Sequence, residues 1–358
     1  MNLDDAKAIA RFDSEDMLGH ISELPQQCRN AWEQAREIEI PSGYGNIDHL
    51  VIVGMGGSAI GGALLQDLAS DQCDVSTTVI RGYELPAFVS GQDALVVACS
   101  YSGNTEETLS CFQEALDREA RVVAITTGGK LAGLAREANA PLVQFGYQSQ
   151  PRAALGYSFV LLLGMVHRLG LIQGYARDIA AAAEVMEEWR EEIRAGVPSA
   201  ENPAKQLAEA LSGKLPVVYG AGFLAATANR WKTQFNENAK SWAFFEQLPE
   251  LNHNSVVGLG MPDVVREHSV VVMLRSSLES RRLRERWDVT AQVLEREGVT
   301  STEVWGRGQS KLAQMLSLIQ FGDYVSFYAA MLNEVDPTPV ETIAFLKARL
   351  AELGNTVN

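Results

Sequence analysis

The sequence predicts an α/β protein built from two similar units in tandem, each a parallel sheet flanked by helices, with further helices at both ends of the chain. Three observations carry this. From residue 49 onward, short apolar runs alternate with stretches of helical periodicity. The runs are apolar at nearly every position, which suits strands buried on both faces. After about residue 198 the same pattern starts again, as a duplication would produce. The expected units are residues 1–198 and 199–358.

The elements read in order as follows. Residues 4–38 are charged and helical in pattern, and Pro41, Ser42 and Gly43 end the pattern. "HLVIVGMG" from His49 is an apolar strand running into glycines, and "GSAIGGALLQDLA" is a helix. "TTVIRGY", "ALVVACS", "RVVAITT" and "APLVQF" are the second to fifth strands. Helical stretches between them include "NTEETLSCFQEALDRE" and "GKLAGLAREAN". One long helical stretch is expected from about Ser158 to Ala195, and "GVPSAENPA" has the composition of a linker. "LPVVYGAG" repeats the logic of the first strand, and "SVVVMLRS" and "TSTEVWG" follow as strands.

Composition narrows the function. The 358 residues are 46% hydrophobic and 21% charged, as in a globular protein large enough for two cores. A net charge of -15 argues against nucleic acid as a partner. It leaves room for a small anion held by helix N-termini. Cys28, Cys73, Cys99 and Cys111 form no C-x-x-C pair, so they read as small core residues in a reducing cytoplasm. The N-terminus lacks the pattern of a signal peptide. The longest apolar run, "SFVLLLGMV", is too short to span a bilayer, so no membrane partner is expected.

Two loops draw attention as binding sites. "VGMGGSAIGG" follows the first strand, but a dinucleotide fingerprint would need glycine at Ala59, and Asp74 does not end a clean strand. No G-K-[ST] follows either. Gly57 and Ser58 open the next helix, where a hydroxyl and N–H groups can face an anion. "SYSGNTEET" follows the third strand, at the carboxyl end of a parallel sheet. One hydroxyl there would be an N-cap. Ser100, Ser102 and Thr105, with Gly103 between them, exceed that need and suit the oxygens of a phosphate.

These two loops resemble the sugar isomerase (SIS) domain, which holds phosphosugars. Six further segments narrow the match: "MLGHISELPQQCRNAW", "RGYELP", "PRAALGYSF", "NENAK", "ELNHNS" and "DPTPVETIAFLK". Together they resemble the bifunctional phosphoglucose/phosphomannose isomerase family of the phosphoglucose isomerase superfamily, over nearly the whole chain. The resemblance implies flavodoxin-like layers, no metal, no other cofactor, and conversion of glucose 6-phosphate and mannose 6-phosphate to fructose 6-phosphate through a cis-enediol. An amino-sugar isomerase and a non-enzymatic phosphosugar-binding regulator are the rival readings. "MLRSSLES" in the second unit departs from the S-x-S-G-x-T pattern, so one phosphate site per chain is expected.

The resemblance also assigns residues. Glu237 is the base, and the aromatic residues Phe235, Trp242, Phe244 and Phe245 near it predict an apolar setting that would raise its pKa. His253 opens the ring and is lent to the site of a neighbouring subunit, which implies a homodimer. Arg152 steadies enediolate charge, as a fixed guanidinium can. Lys347 reaches the sugar. Thr338, or alternatively Thr342, makes room for either epimer at C2. His20, His49, His167 and His268 show no metal-ligand spacing.

Overall fold

The computed structural model describes residues 1–354; residues 355–358 of the second expected unit lie outside them. Three helices come first: α1 (Ala6–Phe12), α2 (Met17–Ser22) and α3 (Leu24–Arg36). The first sheet follows as β1 (His49–Val53), α4 (Gly56–Ala69), β2 (Ser76–Ile80), β3 (Ala94–Ser100), α5 (Glu106–Asp117), β4 (Arg121–Thr126), α6 (Gly129–Glu137) and β5 (Leu142–Gln144). Then come α7 (Leu155–Arg168), α8 (Tyr175–Ile193) and α9 (Pro203–Leu211). The second sheet is β6 (Leu215–Ala221), α10 (Ala225–Glu237), β7 (Phe244–Leu248), α11 (Asp263–His268), β8 (Ser269–Arg275), α12 (Arg281–Arg296) and β9 (Thr300–Trp305). Two helices close the chain, α13 (Lys311–Leu332) and α14 (Glu341–Gly354).

Both sheets are parallel throughout. Their orders are β2-β1-β3-β4-β5 and β7-β6-β8-β9. The first is the flavodoxin-like order, whose direction of winding reverses between β1 and β3, and ligands bind beyond the strand ends at such a reversal. The second repeats it with one strand fewer. All seven residues of β3 and all seven of β8 are buried, as central strands covered on both faces must be.

Two sequence expectations need correction. The single helix expected from Ser158 to Ala195 is two helices, because Gly170 and Gly174 take positive φ and turn the chain between α7 and α8. The strand β7 was not foreseen. It is an edge strand, and four of its five residues are exposed or half-buried, so "FFEQL" carries no buried-strand signature.

Helices join the two sheets. α13 is buried along nearly its whole length and packs against α8, α9 and α10. α4 meets α10 through Asp67, whose Oδ2 accepts the Ala226 N–H at 2.6 Å. Burial pushes the Asp67 carboxyl up to about 6. The folded protein therefore holds this proton more tightly than the unfolded chain. Its contribution to stability is present at low pH and is lost as pH rises from about 4 through 6. Asp67→Asn removes that loss. Across pH 4 to 7 the variant should gain on the wild type by on the order of 2 kcal/mol, read as the difference in urea unfolding free energy.

In contrast to the interior helices, α14 has no buried residue among those whose side chains are described, and Phe345, Leu346 and Leu350 are exposed on it. Among the described residues no helix is long and apolar enough to cross a membrane.

Candidate active site

The reversal between β1 and β3 places both sequence-predicted loops side by side. β1 leads into Gly56, Gly57 and Ser58 at the start of α4, and β3 ends at Ser100, whose loop leads into α5. Two helix N-termini converge there, so unpaired N–H groups and positive dipole ends face one place. Ser58 Oγ accepts the Tyr101 N–H at 3.3 Å, which ties one loop to the other.

The hydroxyl loop is pre-shaped. Ser100 Oγ and Thr105 Oγ1 are 2.9 Å apart, Ser100 Oγ accepts the Gly103 N–H at 3.1 Å, and Ser102 Oγ accepts the Asn104 N–H at 3.2 Å. Thr105 is the N-cap residue of α5 by position, yet its hydroxyl caps no N–H of the helix. Gly103 takes φ +67, and a Cβ there would lie 1.8 Å from the Gly128 carbonyl oxygen. Gly103→Ala should therefore distort the loop outright. We expect KM for a phosphosugar to rise by roughly tenfold or more while the second sheet stays folded, checked by initial-rate kinetics and circular dichroism.

Gly57 joins this loop to Arg152. A Cβ at Gly57 would stand 3.1 Å from the Pro151 carbonyl oxygen and 3.3 Å from Arg152 N, so a larger residue there would press α4 against this turn. Arg152 lies in the 3-10 turn Pro151–Ala154 ahead of α7 and is buried. Its guanidinium is held from several sides. Nε donates to Asn238 Oδ1 at 2.7 Å, and one terminal nitrogen donates to the carbonyls of Pro337 at 2.6 Å and Thr338 at 3.0 Å. The other terminal nitrogen is 3.4 Å from Glu237 Oε2. Burial lowers its pKa, Glu237 opposes that shift, and the guanidinium stays charged. Beneath it, Arg230 donates to the Arg152 carbonyl at 2.8 Å and pairs with the buried Asp323 at 2.9 Å.

Glu237 is the last residue of α10 and is half-buried. Its setting differs from the one expected. Phe235 is buried, but Trp242 is 79% exposed and Phe244 and Phe245 are exposed on β7. These three aromatic side chains do not wall the carboxylate, because the helix ends at Glu237 and the chain turns away. The group facing the carboxylate is the Arg152 cation.

Thr338 is buried, and its Oγ1 has no hydrogen-bond partner. Thr342, the alternative, lies on the exposed α14. The structure thus brings together Gly57, Ser58, Ser100, Ser102 and Thr105 in one group and Arg152, Glu237 and Thr338 in a second, joined through Pro151 and Arg152. His253 and Lys347 join neither group within the chain. His253 is exposed in the 3-10 turn Glu250–His253 after β7, and Lys347 is exposed on α14. Asn238, which orients Arg152 and donates to Ser326 Oγ at 3.0 Å, was not singled out from the sequence. Its signal was only its place inside "NENAK". In the second sheet the turn after β8 serves the protein itself: Ser276 Oγ donates to Gln314 Oε1 at 2.6 Å and accepts the Leu278 N–H at 2.9 Å.

Residues 200–350 match the model of the bacterial phospho-glucose isomerase C-terminal SIS domain. A bifunctional phosphoglucose/phosphomannose isomerase of Caldicellulosiruptor bescii is 43% identical over 340 residues, 94% of this chain and 99% of the relative. The chain belongs to the bifunctional phosphoglucose/phosphomannose isomerase family. A second family member, from Aquifex aeolicus, is 36% identical over 84% of this chain and 90% of its own length. The fold also matches the C-terminal domain of glucosamine-fructose-6-phosphate aminotransferase from Francisella tularensis. That match has a TM-score of 0.73 at 15% identity, over 90% of this chain and 98% of that one. This chain thus shares its overall fold with that domain. Among the described residues no group of three or more His, Cys, Asp or Glu side chains is arranged to hold a metal ion.

Proposed function

We propose that this protein interconverts glucose 6-phosphate and mannose 6-phosphate with fructose 6-phosphate by proton transfer through a cis-enediol. The observation that carries the reading is the Glu237 carboxylate set 3.4 Å from the Arg152 guanidinium, which also donates to the carbonyl of Thr338, a residue whose hydroxyl has no partner. A base, a fixed cation and a free hydroxyl are what an enediolate needs.

In this reading Ser58, Ser100, Ser102, Thr105 and the N–H groups beside Gly57 hold the phosphate. Glu237 takes the proton from C2 of the open-chain aldose and returns it to C1. The enediolate oxygens gain charge as the proton leaves, and Arg152 stabilises that charge without reorganising, because its other nitrogens are already held. Thr338 gives the C2 end room, so that the proton can return to either face. His253 moves a proton between ring oxygen and C1 hydroxyl when the ring opens, and Lys347 supports it at the sugar.

The chain divides, we propose, into residues 1–198, which carry the phosphate loops, and 199–358, which carry Glu237. It works as a homodimer in the cytoplasm. The dimer is supported by where His253 sits: exposed, after an edge strand whose Phe244 and Phe245 are uncovered, with Trp242 beside them. Apolar side chains left open on β7 and α14 suit a second copy of the chain. His253 then acts in the neighbour's site.

The test is turnover of chelator-treated protein on the two aldose phosphates separately. Fructose 6-phosphate from both supports the reading. Product from glucose 6-phosphate alone removes the role given to Thr338. Binding without turnover favours an amino-sugar isomerase or a phosphosugar-binding regulator.

A further inference from the structure

Lys240 lies three residues past the end of α10 and takes φ +54, a backbone conformation natural to glycine and strained for lysine. The helix end could have been closed by glycine at no such strain, so the lysine side chain needs a reason. Its stem is exposed, but its ammonium is engaged. Nζ donates to the Glu237 carbonyl at 2.5 Å and to the Pro337 carbonyl at 3.0 Å. The first bond is ordinary for a lysine at a helix C-terminus. The second reaches 97 residues along the chain.

The Pro337 carbonyl thereby accepts from two cations at once, Lys240 and Arg152. Burial of the ammonium, and after it repulsion from Arg152, push Lys240 down to about 8, and Asp336 and Glu237 partly offset this. The segment so held runs from α13 to α14. Because the described side chains of α14 are all exposed, the segment has no buried helix to anchor it on its far side. Its holds include Asn333, which donates to the Ala239 carbonyl and Ser241 Oγ, the two cations on the Pro337 carbonyl, and Arg152 on the Thr338 carbonyl. Thr338 is the next residue.

We propose that Lys240 is a positioning residue for the isomerase reaction: it pins the Pro337 carbonyl to the end of α10, so that the Thr338 hydroxyl and the Glu237 carboxylate keep a fixed separation across the sugar. This rests on the reading under Proposed function. The phosphate loops do not touch Lys240, so its loss should impair chemistry more than binding.

The experiment compares Lys240→Gly, Lys240→Met and Lys240→Arg with wild type for Tm, kcat and KM on both sugars. Lys240→Gly relieves the backbone strain while removing the clamp, so a Tm near wild type is expected. Its kcat should fall roughly 10- to 100-fold, the range that small misplacements of reacting groups produce. KM should change by less than about threefold, and the ratio of mannose 6-phosphate to glucose 6-phosphate turnover should shift. Lys240→Met should match it. Lys240→Arg, which can still donate to both carbonyls, should restore most of kcat. Unchanged kcat and epimer ratio in Lys240→Gly overturn the proposal. So does a loss that follows Tm and is not rescued by arginine. A wild type inactive on both sugars removes the functional reading and the clamp together, whereas an active wild type with an indifferent Lys240→Gly removes the clamp alone.

Discussion

Glu237→Gln should lower kcat on both sugar phosphates by about 10³-fold or more while leaving the protein folded and able to bind phosphosugar. Removal of a positioned general base typically costs 10² to 10⁴. The amide is nearly isosteric, and the Arg152 nitrogen facing Oε2 at 3.4 Å keeps an oxygen to face, so stability should change little. The proposed phosphate site is the other group of residues, so KM or a measured Kd should stay within a few-fold. The variant also tests the subunit arrangement. His253→Ala should be impaired at ring opening. If His253 serves the neighbouring site, mixing the two impaired variants and letting subunits exchange should recover up to about a quarter of wild-type activity, since half the dimers are mixed and each has one complete site. No recovery would place His253 outside the neighbour's site. A Glu237→Gln protein with substantial turnover would remove the base altogether.

Arg152→Lys should lower kcat by roughly 10² to 10³ with a smaller effect on phosphosugar binding. The charge survives, but the fork does not. A lysine ammonium cannot at once satisfy Asn238 Oδ1, the carbonyls of Pro337 and Thr338, and the enediolate. Loss of one preorganised donor at a developing oxyanion costs about 10² to 10³. Stability should fall too, because Asn238 and two carbonyls lose partners in a buried place. Arg152→Ala should be worse, since it leaves the half-buried Glu237 without its counter-charge. Initial-rate kinetics with a parallel urea titration separate the two losses. An Arg152→Lys protein with wild-type kcat would show that the enediolate charge is stabilised elsewhere.

Much of the architecture was legible because central strands of parallel sheets are apolar without interruption. β3 and β8 announce themselves in "ALVVACS" and "SVVVMLR". β7 did not, since an edge strand with one covered flank has no such run. The break between α7 and α8 was hidden by apolar residues on both sides of Gly170 and Gly174. The proposed phosphate loop was legible because its three hydroxyls fall within six residues, Ser100 to Thr105, and exceed what a cap requires. Arg152 was placed in the site by resemblance, but its burial could not be read locally. Its partners stand 85 to 186 positions further on, in Glu237, Asn238, Pro337 and Thr338. The aromatic residues around Glu237 misled for the same reason: proximity in sequence stood in for proximity in space. Trp242 lies five residues from Glu237 in sequence, yet it faces outward.

The measurement closest to the central claim is isotope incorporation. Fructose 6-phosphate is incubated with the protein in D₂O until equilibrium, and the products are read by NMR. Proton transfer by Glu237 through an enediol, at a site open to both faces of C2, predicts glucose 6-phosphate and mannose 6-phosphate together, each carrying solvent deuterium at C2. Glu237 is partly open to solvent and can exchange its proton over many turnovers; products still without deuterium at C2 at equilibrium would point to direct hydrogen transfer and would contradict the account.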